Sequence, residues 1–152
     1  MSSSLHTLLD HAERERDAML ATVGQAEQQL QQLRVQAQQL LSFRDDYRRR
    51  DPTAGGRSAS IGALRAHQDF MQRLQQAMDQ QQLQETTAQT RLAQLQRALL
   101  PLELRVASVR KLLDRRDLAA RSAVERRDQR QSDESALQRH GRGHPNAIPS
   151  AL

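Results

Sequence analysis

The sequence has no cysteine and no tryptophan, and its aromatic residues are Phe43, Tyr47 and Phe70 alone. Glycine occurs 6 times and proline 4 times in 152 residues. Each shortage excludes something. Without thiols there is neither a disulfide framework nor a thiolate metal site, which fits a reducing compartment. Turn formers are too few to punctuate many strands, and aromatic residues too few for the usual compact core, so all-β and doubly wound α/β folds are excluded. No stretch approaches the ~18 consecutive apolar residues of a membrane-spanning helix. The opening Met1-Ser2-Ser3-Ser4-Leu5-His6 has no basic n-region and no apolar h-region, so no signal peptide is expected. The expected protein is soluble and cytoplasmic.

The remainder is mostly Gln, Arg, Leu and Ala, with 37% hydrophobic and 27% charged residues. A chain this polar is either disordered or a coiled coil, in which only a narrow seam must be apolar. Periodicity decides between them. Counting in sevens, position d reads Leu5, Ala12, Met19, Ala26, Leu33, Leu40, Tyr47, and position a reads Leu9, Arg16, Val23, Leu30, Ala37, Arg44. Only Arg16 and Arg44 interrupt this ladder; their stems can lie along the seam while the guanidinium groups snorkel outward, the preferred reading, or they can fix the register. Ser2, Ser3 or Ser4 is the expected cap. Asp10, Glu13, Glu15 and Asp17 place acid near the expected helix start.

The ladder stops at Tyr47. The segment from Arg48 to Ser60 contains Pro52, Gly55, Gly56, Ser58 and Ser60, and reads as the single interhelical loop, with Ser58 or Ser60 capping the second helix. A second ladder then has Leu64, Met71, Met78, Glu85, Leu92, Leu99, Val106, Leu113, Ala120, Arg127 at a. Its d positions are His67, Leu74, Gln81, Ala88, Leu95, Leu102, Val109, Arg116, Ala123, Arg130. Gln81 and Glu85 interrupt the middle, and the last third fades to Ala and Arg. Pro101 falls on the outer face and is expected to kink the second helix near Arg97 to Leu99 without ending it.

The expected fold is therefore all-α: two long helices forming an antiparallel coiled-coil hairpin, the second longer than the first. A single coiled-coil domain spans 1–140, with helix 4–49, loop 50–60 and helix 61–138, and 141–152 is a disordered tail. One loop between two helices forces an antiparallel hairpin, in which Tyr47 is expected to meet Leu64, Leu40 to meet Met71 and Met19 to meet Leu92, with Leu5 near Val106. Gln81 then lies opposite Leu30, and Glu85 opposite Ala26. At ~1.5 Å per residue the helices run roughly 70 Å and 115 Å, so about 30 residues of the second outrun the first.

That surplus is also the basic part. Of the net charge of +5, residues 103–152 carry +4, with eleven basic against seven acidic side chains. Arg115, Arg116, Arg121, Arg126, Arg127 and Arg130 could meet phosphates or an acidic protein. Asp114, Asp117, Glu125, Asp128, Asp133 and Glu134 are interleaved with them, and no aromatic residue is there to stack a base. Nucleic-acid binding and a purely structural scaffold are the alternatives kept. Catalysis is not expected: His6, His11, His67, His140 and His144 lack metal-ligand spacing, and there is no phosphate loop or nucleophile elbow. No cofactor is implied.

The aromatics form a third constellation, since all three flank the loop. Gln36, Leu40, Phe43 and Tyr47 share one stripe at i, i+4, i+7, i+11, and Phe70, Leu74, Ala77 and Gln81 repeat that spacing on the second helix. The cluster can close the hairpin end, or leave Phe43 and Phe70 exposed for a partner protein.

The opening Leu5-His6-Thr7-Leu8-Leu9-Asp10-His11-Ala12-Glu13-Arg14-Glu15-Arg16-Asp17 resembles the start of the FliJ family of bacterial flagellar type III export proteins. Gln39 to Tyr47 resembles that family's segment before the loop, and His67 to Met78 the segment after it. Arg110 to Arg116, with Glu125 to Gln129 and Asp133 to Ala136, resembles the basic C-terminal helix. The resemblance covers residues 5 to about 139. It implies a non-enzymatic stalk, similar to that of rotary ATPases, working with the export ATPase (FliI), its regulator (FliH), the gate protein FlhA and export chaperones. It implies a gate contact at Gln36, Leu40, Phe43, Tyr47, Phe70, Leu74, Ala77 and Gln81. It also implies an ATPase contact at Arg115, Arg116, Arg126, Arg127 and Arg130, and a cytoplasmic location at the inner membrane of the flagellar base.

Overall fold

The computed structural model of the chain describes residues 2–52 and 60–143. Among these residues there are two helices and no strand: α1, Ser2–Arg49, and α2, Ile61–Arg142, of 48 and 82 residues. Residues 53–59 of the expected loop and 144–152 of the expected tail, His144 included, lie outside the described residues. Gly141 and Arg142 are still helical rather than part of the tail. Arg139, His140 and Arg142 in that last turn suit the negative end of the helix dipole.

The helix ends reflect local chemistry. The Ser60 hydroxyl accepts a hydrogen bond from the Ala63 N–H at 3.1 Å, and the Ser60 carbonyl accepts from the Leu64 N–H at 3.1 Å. Ser60 is thus the N-cap of α2. At the end of α1 the Arg50 and Asp51 N–H groups donate to the Tyr47 and Arg48 carbonyls, tightening the last turn. The start of α1 differs from expectation. Ser3 and Ser4 lie inside the helix, and the first turn has no acidic residue. Asp10 and its acidic successors are too far along to meet the dipole, which fades within one turn.

The chain forms two compact units, His11–Arg105 and a second made of Met1–Asp10 with Val106–Leu152. Within His11–Arg105 the helices run antiparallel. Going up α1 the partners go down α2: Glu15 meets Arg105, the neighbours Leu33 and Arg34 meet Gln81 and Glu85, and Tyr47 meets Phe70. Every a and d position of this unit is buried or half-buried, from Ala12 to Tyr47 and from Leu64 to Leu102. The heptad reading of the seam therefore holds. α2 passes through Pro101, which is exposed on the outer face while Leu99 and Leu102 stay covered.

The register does not hold. Tyr47 stacks on Phe70 instead of meeting Leu64, and Gln81 reaches Leu33 instead of lying against Leu30. The four contacts above fit a seam in which Tyr47 faces Met71 and Leu33 faces Glu85, one heptad from the expected pairing. The reason is a degeneracy. A ladder that repeats every seven residues buries nearly the same surface when slipped by seven, so the apolar pattern does not choose.

The seam arginines differ from each other. Arg16 snorkels as expected, its Nε and Nη2 donating to Asp17 Oδ1 at 3.1 and 3.0 Å. Arg44 Nε lies 3.6 Å from Asp45 Oδ1, too far for a hydrogen bond, and is buried with no hydrogen-bond partner.

In the other unit, Val106, Val109 and Leu113 are buried, and Leu5 and Leu9 are half-buried. From Asp114 to Gly143 every residue is exposed. The ladder there offers Arg116, Ala120, Ala123, Arg127 and Arg130, which are too small or too polar to hold a seam.

Candidate partner-binding surfaces

Antiparallel pairing puts the g positions of both helices along one edge of the seam. Glu15 and Arg105 are both g residues, and their side chains meet at 2.8 Å. Gln36 and Phe43 are the g residues two and one heptads before the end of α1, and Phe70 and Ala77 are those at the start of α2. They belong to the same edge. Of these, Gln36, Phe43 and Ala77 are exposed and Phe70 is half-buried; Phe43 leaves 58% of its surface in solvent.

The d residues lie beneath. Leu40 and Tyr47 are half-buried, whereas Leu74 and Gln81 are buried seam residues. The Tyr47 ring has two stacking partners on α2. Phe70 lies 3.9 Å away between centroids, with planes 19° apart, and His67 lies 6.1 Å away at 26°. Such stacking is worth about 0.5–1.5 kcal/mol beyond the area buried. It holds Phe70 half in the seam, so the aromatic that projects furthest is Phe43.

Two shallow grooves lie nearby, the first touching Phe43 and the second on the opposite, e-position edge of the seam at Leu41, Gln75 and Gln82. One, about 830 Å³, runs along α1 past Val35, Leu41, Ser42, Phe43 and Asp46. The other, about 450 Å³, lies between the helices and is lined by Leu40, Arg44, Met78 and Gln81 among others. Both are open features of a two-helix surface, unlike the enclosed sites that hold small ligands. Among the described residues no group of three or more His, Asp or Glu is placed to hold a metal ion. No described helix is long and apolar enough to cross a membrane.

The second candidate surface is the C-terminal stretch of α2. Arg115, Arg116, Arg126, Arg127 and Arg130 are all exposed there, interleaved with exposed Asp114, Asp117, Glu125 and Asp128. The helix presents charge all round, so binding at this stretch would be directed by electrostatics more than by a pocket.

The cross-helix polar contacts are absent from the sequence reading. Arg34 Nε meets Glu85 Oε1 at 3.4 Å, and Arg105 Nη1 donates to Glu15 Oε2 at 2.8 Å. Their signal is opposite charge on facing positions, and it is legible only once the register is known.

The sequence model of a family described as "Flagellar FliJ protein" matches residues 1–144. A protein of Salmonella typhi named "Flagellar FliJ protein" is 29% identical over 133 residues, covering 88% of this chain and 90% of that relative. No solved structure matches.

Proposed function

Because the chain belongs to the FliJ family of flagellar proteins, we propose that it is a non-enzymatic component of the flagellar type III protein export apparatus. In this reading it is a coiled-coil stalk. One end engages the export ATPase (FliI) and its regulator (FliH), the loop end meets the membrane export gate protein FlhA, and the stalk escorts export chaperones. It works at the cytoplasmic face of the flagellar base.

The observation that carries the gate assignment is the exposed Phe43 on the edge it shares with Gln36, Phe70 and Ala77. An aromatic side chain left in solvent beside a stacked aromatic pair is the kind of anchor that dominates protein interfaces. Leu40 and Tyr47, three residues before and four after it on α1, are half-buried, and Leu74 and Gln81 are buried in the seam. The ATPase assignment is supported by the exposed basic segment holding Arg115, Arg116, Arg126, Arg127 and Arg130, within a stretch of helix whose every residue from Asp114 to Gly143 is exposed. A single helix of this kind is marginal in water and gains from docking.

The test has two arms. Phe43→Ala with Phe70→Ala should leave helicity intact and weaken binding to the cytoplasmic part of the gate protein; unchanged binding by the folded double variant overturns the gate assignment. Arg115, Arg116, Arg126 and Arg127 all changed to Glu should weaken capture of the export ATPase. Should the same variant lose duplex DNA binding while ATPase capture is untouched, the nucleic-acid reading replaces this one.

A further inference from the structure

Gln81 is a polar residue at a seam position, and only 8% of it is exposed. Its Nε2 donates to the backbone carbonyl of Leu33 across the hairpin. That carbonyl is one turn before Ala37, the α1 residue that faces Gln81 in this register. Alanine is what opens the way: a larger side chain at position 37 would cover the backbone that Gln81 reaches. One turn along α2, Glu85 is paired with Arg34.

A slip by one heptad changes little for the apolar residues and much for these two. Gln81 would then face Leu30, whose side chain is itself buried with 6% exposed, and Glu85 would face Ala26. The amide would be shut into the seam with the Leu30 side chain over the backbone, and Glu85 would lose Arg34. A buried polar group without a partner is heavily penalised, whereas a paired one is nearly neutral. The discrimination between registers thus sits in these polar residues, paired in one register and unpaired in the other.

We propose that Gln81, through its bond to the Leu33 carbonyl over Ala37, selects the register of the hairpin against a competing register one heptad away. Gln81 is a positioning residue for the whole loop end. The register decides whether Tyr47 stacks on Phe70 or faces Leu64, and so which aromatic edge the hairpin displays. The polar layer converts two nearly equal apolar seams into one structure.

The chain has no native cysteine, so introduced pairs report the register without background. Met19 faces Leu99 in the present register and Leu92 in the slipped one. Met19→Cys with Leu99→Cys, and Met19→Cys with Leu92→Cys, are oxidised separately in the full-length chain, and the intramolecular disulfide is measured in each. With Gln81 intact, the 19–99 pair should close and the 19–92 pair should not. Adding Gln81→Met, which keeps the length and removes the donor, should raise the ratio of 19–92 to 19–99 product about tenfold. Ala37→Leu, which blocks the carbonyl, should raise it with Gln81 in place. Both changes make the seam more apolar, so helicity by circular dichroism should be kept. An unchanged ratio in a helical Gln81→Met variant overturns the proposal, as does efficient closure of the 19–92 pair with Gln81 and Ala37 intact.

Discussion

The ring of Tyr47, the last seam residue of α1, lies 3.9 Å from the ring of Phe70 and within 19° of parallel to it. Phe70 is not a seam residue; it stands at the flanking g position and leans in. Two of the chain's three aromatic residues are committed to this one contact. The third, Phe43, stays outside it with 58% of its surface exposed. The contact divides the aromatic cluster into a structural half and an available half.

The stacked pair should behave as an energetically coupled unit. A double-mutant cycle with Tyr47→Leu and Phe70→Leu should give a coupling of about 0.5–1.5 kcal/mol in denaturant unfolding. The protein has one tyrosine and no tryptophan, so tyrosine fluorescence reads this site alone. It should change in Phe70→Leu and stay as it is in Leu118→Ala.

The covered seam should end at Leu113. Leu113→Ala removes a buried side chain and should cost about 2 kcal/mol or more. Leu118→Ala, at a residue 65% exposed, should fall within about 0.5 kcal/mol of no effect. Hydrogen exchange should show the same boundary, with amides of residues 114–143 exchanging faster than those before Val106.

The Glu15–Arg105 pair should matter little and in a salt-dependent way. Its side chains are 38% and 54% exposed, so the Coulomb gain is mostly screened. Glu15→Gln should lower stability by about 0.2–1 kcal/mol at low salt, and the difference should shrink at 1 M salt, where the Debye length is about 3 Å. A large, salt-insensitive loss would mean that the pair does more than close the edge of the seam.

Gly24 should be improvable. It lies inside α1, and a Cβ built on it meets nothing within 4 Å. Gly24→Ala should therefore stabilise the protein by about 0.5–1 kcal/mol through the lower entropy of the unfolded chain. Thermal unfolding of the single variant measures it directly.

The faces of both helices were legible in the sequence, because a seven-residue period is a local property of the chain. Each a and d assignment in His11–Arg105 is covered, and the fade of the ladder after Leu113 coincides with full exposure. The Ser60 cap, the passage through Pro101 and the snorkelling of Arg16 were readable for the same reason, since each depends on neighbours within a turn. The candidate surfaces were readable only as stripes. Of the eight loop-end positions the four g residues share one edge and the four d residues belong to the seam, and which of them reach solvent depends on what the opposite helix puts against them. Phe43 is free of the seam and Leu74 and Gln81 are inside it, a division that spacing cannot make.

By itself the sequence determined the number of helices, their ends to within a few residues, and the side each turns inward. Tertiary structure decided the register. The apolar ladder is nearly indifferent to a slip of seven, and the residues that break the tie, Gln81 with the Leu33 carbonyl and Glu85 with Arg34, are partners some fifty residues apart. Their polar contacts form only after the helices have met. A periodic pattern carries no information about its own phase against a second copy of the same period; a hydrogen bond between two particular atoms does.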